Sequence, residues 1–141
     1  MVDALRRAHR LVKSHGHVVD LHPSAKRARV EAAGRPIGYV DADDAPLRHA
    51  AAGAALAAVV EEGLFAVDGA LVFSFYTYGD SIEELRDYVE ANWRSARIDD
   101  QTVGRAREIL RDAPEAQPRI CEDVHITKLR PLIAGGRSWR G

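Results

Sequence analysis

The sequence has little of the chemistry that would assign a function at once. Its 141 residues include a single cysteine, Cys121, so it can form no internal disulfide and has no paired thiols for zinc. Neither an H-E-x-x-H nor a G-x-S-x-G motif occurs, so the common signatures of zinc proteases and serine hydrolases are missing. Basic and acidic residues number 20 and 21, so no excess charge favours nucleic acid or an anionic membrane. We therefore expect a cytoplasmic protein with no metal site, and with neither nucleic acid nor membrane as a partner.

Long apolar runs are also missing. The longest, Ala50 to Val60 apart from Gly53, is too short to span a bilayer. With 46% hydrophobic and 29% charged residues, the composition is ordinary for a globular chain. We predict one α+β domain over residues 1–132 and a flexible tail over residues 133–141.

The first twenty-three residues contain the most ordered local pattern. Apolar residues recur at three- and four-residue spacing from Leu5 to Val12, which predicts an amphipathic helix that ends at Gly16. The following stretch, His17 to His22, is apolar on both faces except at its polar end. This pattern predicts a strand in the centre of a sheet rather than at its edge.

Two β-hairpins are predicted downstream. Gly34 lies between Ala28–Glu31 and Pro36–Val40, and supplies the left-handed conformation that a short loop requires. An Asp-Gly pair, Asp68 and Gly69, separates Leu64–Val67 from Ala70–Tyr78 and predicts a type I′ turn. In the second arm, bulky side chains alternate onto both faces, which predicts that both are covered.

Three further helices and a last strand complete the predicted fold. Asp43, Asp44 and Pro46 are typical of a helix start, with aspartate accepting the free amide hydrogens. The remaining elements are predicted as helices Ala45–Glu62, Asp80 to about Trp93 and Gln101–Arg111, and a strand Arg119–Leu129. The fold class is therefore α+β, with four helices and a mixed, largely antiparallel sheet of five or six strands.

A family resemblance appears in three stretches. The run LRRAHRLVKSHGHVVDLHP resembles the helix and fifth strand of class I S-adenosylmethionine-dependent methyltransferases. The runs EEGLFAVDGALVFSFYTYGDSIEELRDYVEANW and EDVHITKLRPL resemble the sixth and seventh strands. Only the C-terminal half of that family's fold is covered, and the family's Gly-rich cofactor loop has no counterpart, because no G-x-G occurs.

The resemblance implies an unfinished sheet. In the family's strand order, His17–His22 lies antiparallel to Arg119–Leu129, with Leu71–Tyr78 on the far side. The neighbour that His17–His22 has in the full fold is missing, and an unpaired apolar strand favours association. Either the hairpin Ala28–Val40 or a second chain would take that place. No cofactor is expected on this chain, and S-adenosylmethionine only with a partner chain that carries the cofactor loop.

Candidate chemistry lies in two Asp-x-His pairs, Asp20 with His22 and Asp123 with His125. Residues two apart in a strand share a face, so each pair projects together and the two could meet. Such a set could transfer protons or hold a metal ion, with Tyr76 and Tyr78 as ligand-binding residues. The alternative is a solvated, structurally hydrogen-bonded face.

We therefore predict a binding or assembly domain that forms a homodimer through its incomplete sheet. The alternatives are a small-molecule enzyme or ligand-binding protein that uses this His/Asp/Tyr cleft, or a methyltransferase subunit completed by a separate chain. Whether the protein is an enzyme stays open.

Overall fold

The computed structural model describes residues 1–133. In this part of the chain there are four helices, a five-stranded sheet and a small two-stranded sheet, and every strand pair is antiparallel. The predicted α+β class with four helices is confirmed. The predicted tail, residue 133 apart, lies outside the described residues. In chain order the elements are α1 (Val2–Leu11), β1 (Val18–Pro23), β2 (Arg29–Ala32), β3 (Arg35–Tyr39), β4 (Asp41–Ala42), α2 (Ala45–Glu61), β5 (Phe65–Tyr78), α3 (Ile82–Asn92), β6 (Ala96–Arg97), α4 (Asp100–Asp112) and β7 (Arg119–Pro131).

The long strand β7 is the centre of the main sheet. On one edge it pairs with β5 along its whole length. On the other edge it pairs with β1 through residues 124–129 and with β2 through residues 119–121, and β3 follows outside β2. The strand neighbours that the resemblance implies, β1 beside β7 and β5 beyond it, are thus present. The resemblance itself stays a prediction.

Two apolar clusters lie at opposite ends and on opposite faces of β7. Ile120 packs with β2, β3, α3 and α4, whereas Leu129 packs with Phe65 and with residues of α1 and α2. Because the positions of Ile120 and Leu129 differ by an odd number, their side chains leave β7 on opposite sides. Each helix pair therefore covers only one end of the sheet.

The prediction that His17–His22 forms a central strand is wrong. Among the described residues, β1 pairs with β7 alone and is an edge strand. Its outward side chains Val19 and Leu21 are both exposed. The hairpin β2–β3 does form around Ala33 and Gly34, both in the left-handed region, but it pairs with β7 rather than with β1.

The predicted hairpin at Asp68-Gly69 is also wrong. Both arms belong to the single strand β5, and the register against β7 shifts by one residue between Val67 and Gly69. A type I′ turn needs positive φ at both central residues, and neither Asp68 nor Gly69 has it. Asp68 is instead the extra residue of a bulge, and its carboxylate contacts His17 and Arg130 at 3.1 and 3.2 Å.

The predicted aspartate cap of α2 is wrong, whereas α3 and α4 do begin with a side-chain cap. Ser81 and Asp99 accept hydrogen bonds from the amides of Glu84 and Thr102 at the starts of α3 and α4. Asp44 is the first residue before α2, but its side chain accepts no amide hydrogen. Its Oδ1 instead lies 3.3 Å from Nε of Arg48, one helical turn away. This ion pair competes with the backbone amides for the carboxylate.

Candidate functional site

The two predicted histidines meet across the β1–β7 pair. His22 lies directly opposite His125, and their rings stack with centroids 5.5 Å apart. The His22 Nδ1–H donates to the Asp20 carboxylate over 2.5 Å, since an ionised carboxylate can only accept. Both side chains of this pair are largely buried, with exposed fractions of 12% and 11%. Helix α2 passes over the His22 ring at Gly53, where an added Cβ would lie 3.9 Å from Nε2.

The other predicted site residues lie on the same face but farther along β7. Asp123 is one step beyond His125, on the side away from Asp20, where it contacts Ser74 at 3.4 Å and Lys26 at 3.9 Å. Tyr76 and Tyr78 lie opposite Cys121 and Arg119, one and two steps beyond Asp123. The four charged and imidazole groups therefore form a row along the strand, with only His22, His125 and Asp20 in one cluster.

That cluster has the parts of a proton-transfer pair but borders neither of two cavities in the described part of the chain. A carboxylate that accepts the N–H of an imidazole fixes the tautomer and the orientation of the ring. However, both cavities are lined by residues other than Asp20, His22 and His125. No group of three or more His, Cys, Asp and Glu side chains within residues 1–133 is arranged to hold a metal ion. Within the described residues these side chains form a hydrogen-bonded, stacked cluster beneath α2, and their role in proton transfer stays a prediction.

A cavity of about 610 Å³ lies close by, at a gap in the sheet. Pairing of β7 with β1 ends at Val124 and pairing with β2 begins at Cys121, so Glu122 and Asp123 have no strand opposite them on this edge. The segment that connects β1 to β2 is joined to β7 at this gap by the Ser24 amide, which donates to the Asp123 carbonyl over 2.7 Å. The start of α2 and the turn after α3 close the remaining sides.

Sequence reasoning missed this cavity. Its charged lining comes from five separate segments, and only Asp123 was among the predicted residues; the cations are Lys26, Arg27, Arg48, Arg94 and Arg97. The one local signal was the break in alternation at Glu122-Asp123, where two adjacent acids interrupt a strand. His49 on the cavity wall donates its Nδ1–H to the Ser24 carbonyl over 3.0 Å. Burial lowers the pKa of His49, with Arg48 and His22 adding repulsion, so its imidazole is neutral at pH 7.

On the other side of β7, the outer edge of β5 is unpaired among the described residues. From Val67 to Tyr78, β5 has no strand on its outer edge among the described residues, and its apolar side chains are exposed on both faces. The exposed ones are Val67, Leu71, Val72, Phe73, Phe75, Tyr76 and Tyr78. Within the described part of a single chain nothing covers these side chains, so the prediction that a dimer interface or a binding cleft covers this segment stays a prediction. Only its first residue, Phe65, is buried, beneath α1 and α2.

Comparisons of the chain with protein-family models, with curated proteins and with solved structures find no match. Among residues 1–133, no helix has the length and apolar character needed to cross a bilayer.

Proposed function

We propose that the protein is an assembly domain that forms a homodimer by pairing its β5 edge with the β5 edge of a second copy. The observation that carries this proposal is the bare outer edge of a fourteen-residue strand. Natural proteins shorten, charge, bend or cover such edges, because unpaired backbone groups recruit other strands. Here the strand from Gly69 to Tyr78 contains no charged residue and no proline. Its bulge at Asp68 lies at one end and leaves the rest regular.

A second copy suits this edge better than an unrelated strand. Two identical antiparallel strands related by a twofold axis present the same groups to each other, so one sequence satisfies both sides. Because the edge is uncharged over ten residues, no register brings like charges into opposition. Seven exposed apolar side chains lie along this strand, so pairing would place those of the two copies side by side across the new strand pair. Pairing would also join the apolar faces of the two sheets into one surface.

The test compares one leucine on each side of β7. Leu71 on β5 and Leu21 on β1 both lie opposite Ile126, and their exposed fractions are 58% and 59%. We expect sedimentation equilibrium at micromolar concentration to show a dimer for the wild type and for Leu21→Lys. Leu71→Lys should be a monomer, since the lysine places a charge on the pairing edge. Circular dichroism of each variant checks that it is folded.

The remaining outcomes each contradict the proposal in a distinguishable way. A monomeric wild type would remove the homodimer altogether. Loss of the dimer in Leu21→Lys alone would place the interface on β1. Loss in both variants would mean that the flat apolar face around Ile126, rather than the β5 edge, carries the contact.

The β1 edge favours a second arrangement. Val19 and Leu21 are exposed there, and this strand is the one whose neighbour is missing relative to the methyltransferase half-fold. A separate chain that carries a Gly-rich cofactor loop would then complete the sheet. The purified protein alone should bind no S-adenosylmethionine by calorimetry, whereas the complex should bind it, and Leu21→Lys should dissociate the complex. Binding of the cofactor by this chain alone would contradict the arrangement.

A further inference from the structure

We propose that the cavity at the gap in β7 binds a small zwitterionic molecule of the free amino acid class, with its carboxylate on Arg94 and Arg97 and its ammonium on Glu122. This site is independent of the proposed dimer, because none of its lining residues belongs to β5. The inference rests on the charges in the cavity that have no partner within the described residues.

The cations of the cavity divide into two groups. Arg27 pairs with Asp41 and lies over the Tyr39 ring, Arg48 pairs with Asp44, and Lys26 lies 3.9 Å from Asp123. Within residues 1–133, Arg94 and Arg97 form no ion pair. Both come from the short segment between α3 and α4, and they line the same cavity. Both guanidinium groups are exposed to solvent, and Arg97 contributes to lowering the pKa of nearby Asp99. Since neither makes an ion-pair contact within the described residues, both have N–H donors with which they can bind a carboxylate.

Glu122 is the complementary group. Its side chain is half-buried at the gap, with no hydrogen-bond or ion-pair partner among the described residues. Burial raises the pKa of Glu122, as expected for a carboxyl group that has lost water and gained no cation. A bound ammonium group would supply the missing charge and donate to its oxygens.

The other acids of the lining are less suited to this role. Asp41 and Asp123 already contact Arg27 and Lys26, and Asp43 is exposed to solvent. The cavity therefore combines one unpaired, half-buried anion with two unpaired cations. A ligand with a single charge would satisfy them only in part.

The rest of the lining fits the body of such a ligand. Val40 and Trp93 provide apolar surface, and the neutral His49 leaves Nε2 as an acceptor, since Nδ1–H is used on Ser24. At about 610 Å³ the cavity has room for an amino acid with a large side chain. A second cavity of about 710 Å³ beside α4 lacks this pattern, because its arginines already contact Ile37 and Asp41.

Three probes of one shape separate the two charges: L-phenylalanine, 3-phenylpropionate and 2-phenylethylamine. Binding is followed in the full chain by the fluorescence of Trp93, with Trp139→Phe as the background so that a single indole reports. We expect L-phenylalanine to bind the cavity at least roughly tenfold more tightly than either singly charged probe, the effect of one charge-assisted hydrogen bond.

Matched variants assign each charge. Arg94→Gln/Arg97→Gln should weaken L-phenylalanine roughly tenfold or more and leave 2-phenylethylamine unchanged. Glu122→Gln should weaken L-phenylalanine and leave 3-phenylpropionate unchanged or tighter. Arg7→Gln/Arg10→Gln, which removes the same net charge as the double cavity variant but from the exposed face of α1, should leave all three probes unchanged. Thermal melts of each variant confirm that it is folded.

Three results would overturn the proposal. One is 3-phenylpropionate binding as tightly as L-phenylalanine, which would mean an anion site only. Another is equal weakening by the α1 control, which would mean a general effect of charge. The last is no response of Trp93 to any probe at millimolar concentration.

Discussion

The two edges of β7 carry different features because one is paired continuously and the other is interrupted. Along β5 the pairing extends over the whole strand, and the result is a regular outer edge without cover. On the opposite edge β1 and β2 share the strand, and the gap at Glu122 and Asp123 opens into a cavity. A continuous edge suits assembly with another strand, whereas an interrupted edge brings side chains from several elements around one space.

The two sides of β7 also differ in how far the helices cover them. The Asp20–His22 pair lies on the interrupted side, beneath α2, and is almost removed from water. The aromatic residues of β5 other than Phe65 lie on the continuous side, beyond the reach of both helix pairs. Residue type is thus a poor guide to burial in this protein, because here two polar side chains are more deeply buried than most of the aromatic ones on β5.

The largest expected effect is the difference in stability between truncating a buried and truncating an exposed phenylalanine of β5. Phe65 is 1% exposed and Phe75 is 52% exposed. Phe65→Ala should lower the free energy of unfolding by about 3–5 kcal/mol through lost burial and a cavity, and Phe75→Ala by less than about 1 kcal/mol. Urea denaturation in the Leu71→Lys background keeps any dimer out of the measurement. Equal losses for the two variants would mean that β5 is covered within one chain.

A smaller effect is expected at the two glycines that the sequence marks as turns. Gly34 has φ of 74°, whereas Gly69 is not in the positive-φ region, and a Cβ added there would meet nothing within 4 Å. Gly34→Ala should cost about 1 kcal/mol of unfolding free energy, the penalty for a side chain in the left-handed region, and Gly69→Ala should cost nothing. The same urea titrations measure both. A large loss at Gly69 would restore the Asp-Gly turn and contradict a continuous β5.

The smallest effect concerns the carboxyl group at the gap. Burial raises the pKa of Glu122 in the folded state, which means that the fold favours the protonated carboxyl group. The stability that this preference contributes is fully present below the unfolded pKa and is lost as pH rises through the folded pKa. Glu122→Gln should therefore melt slightly higher than the wild type at pH 7, and this gain should vanish in acid.

The control for that pH dependence has the opposite sign. A hydrogen bond from Arg107 lowers the pKa of Glu83, which contributes stability above its unfolded pKa that is lost as pH falls through the folded pKa. Glu83→Gln should melt slightly lower at pH 7 and match the wild type in acid. Melting curves from about pH 3 to pH 7 compare both variants, and a gain for Glu122→Gln that persists in acid would show that its charge is not the cause.

Much of the local structure could be predicted because its causes are local. The capping serine of α3 and the left-handed Gly34 need only neighbouring residues to act, and both are present in the structure. The Asp68-Gly69 pair did not predict the structure correctly, because the same dipeptide can form a β-bulge as well as a turn. Here the strand on both sides of it pairs with β7, so the bulge forms. In the candidate site, the stacking of His22 on His125 could not be predicted, because it depends on the register between β1 and β7. The cavity depended on five segments, so no stretch of sequence marks it.

Local patterns in the chain were enough to establish which residues share a face of each strand and where most helices begin, because side-chain alternation and end-capping act over a few residues. The folded arrangement was needed to establish that β1 is an edge, that Asp68-Gly69 continues a strand, and that Glu122 lies in a gap. Those outcomes depend on which strand takes each edge of β7 and on where the helices pack. Pairing and packing join residues that are far apart in the chain, and their free energies do not appear in any local pattern.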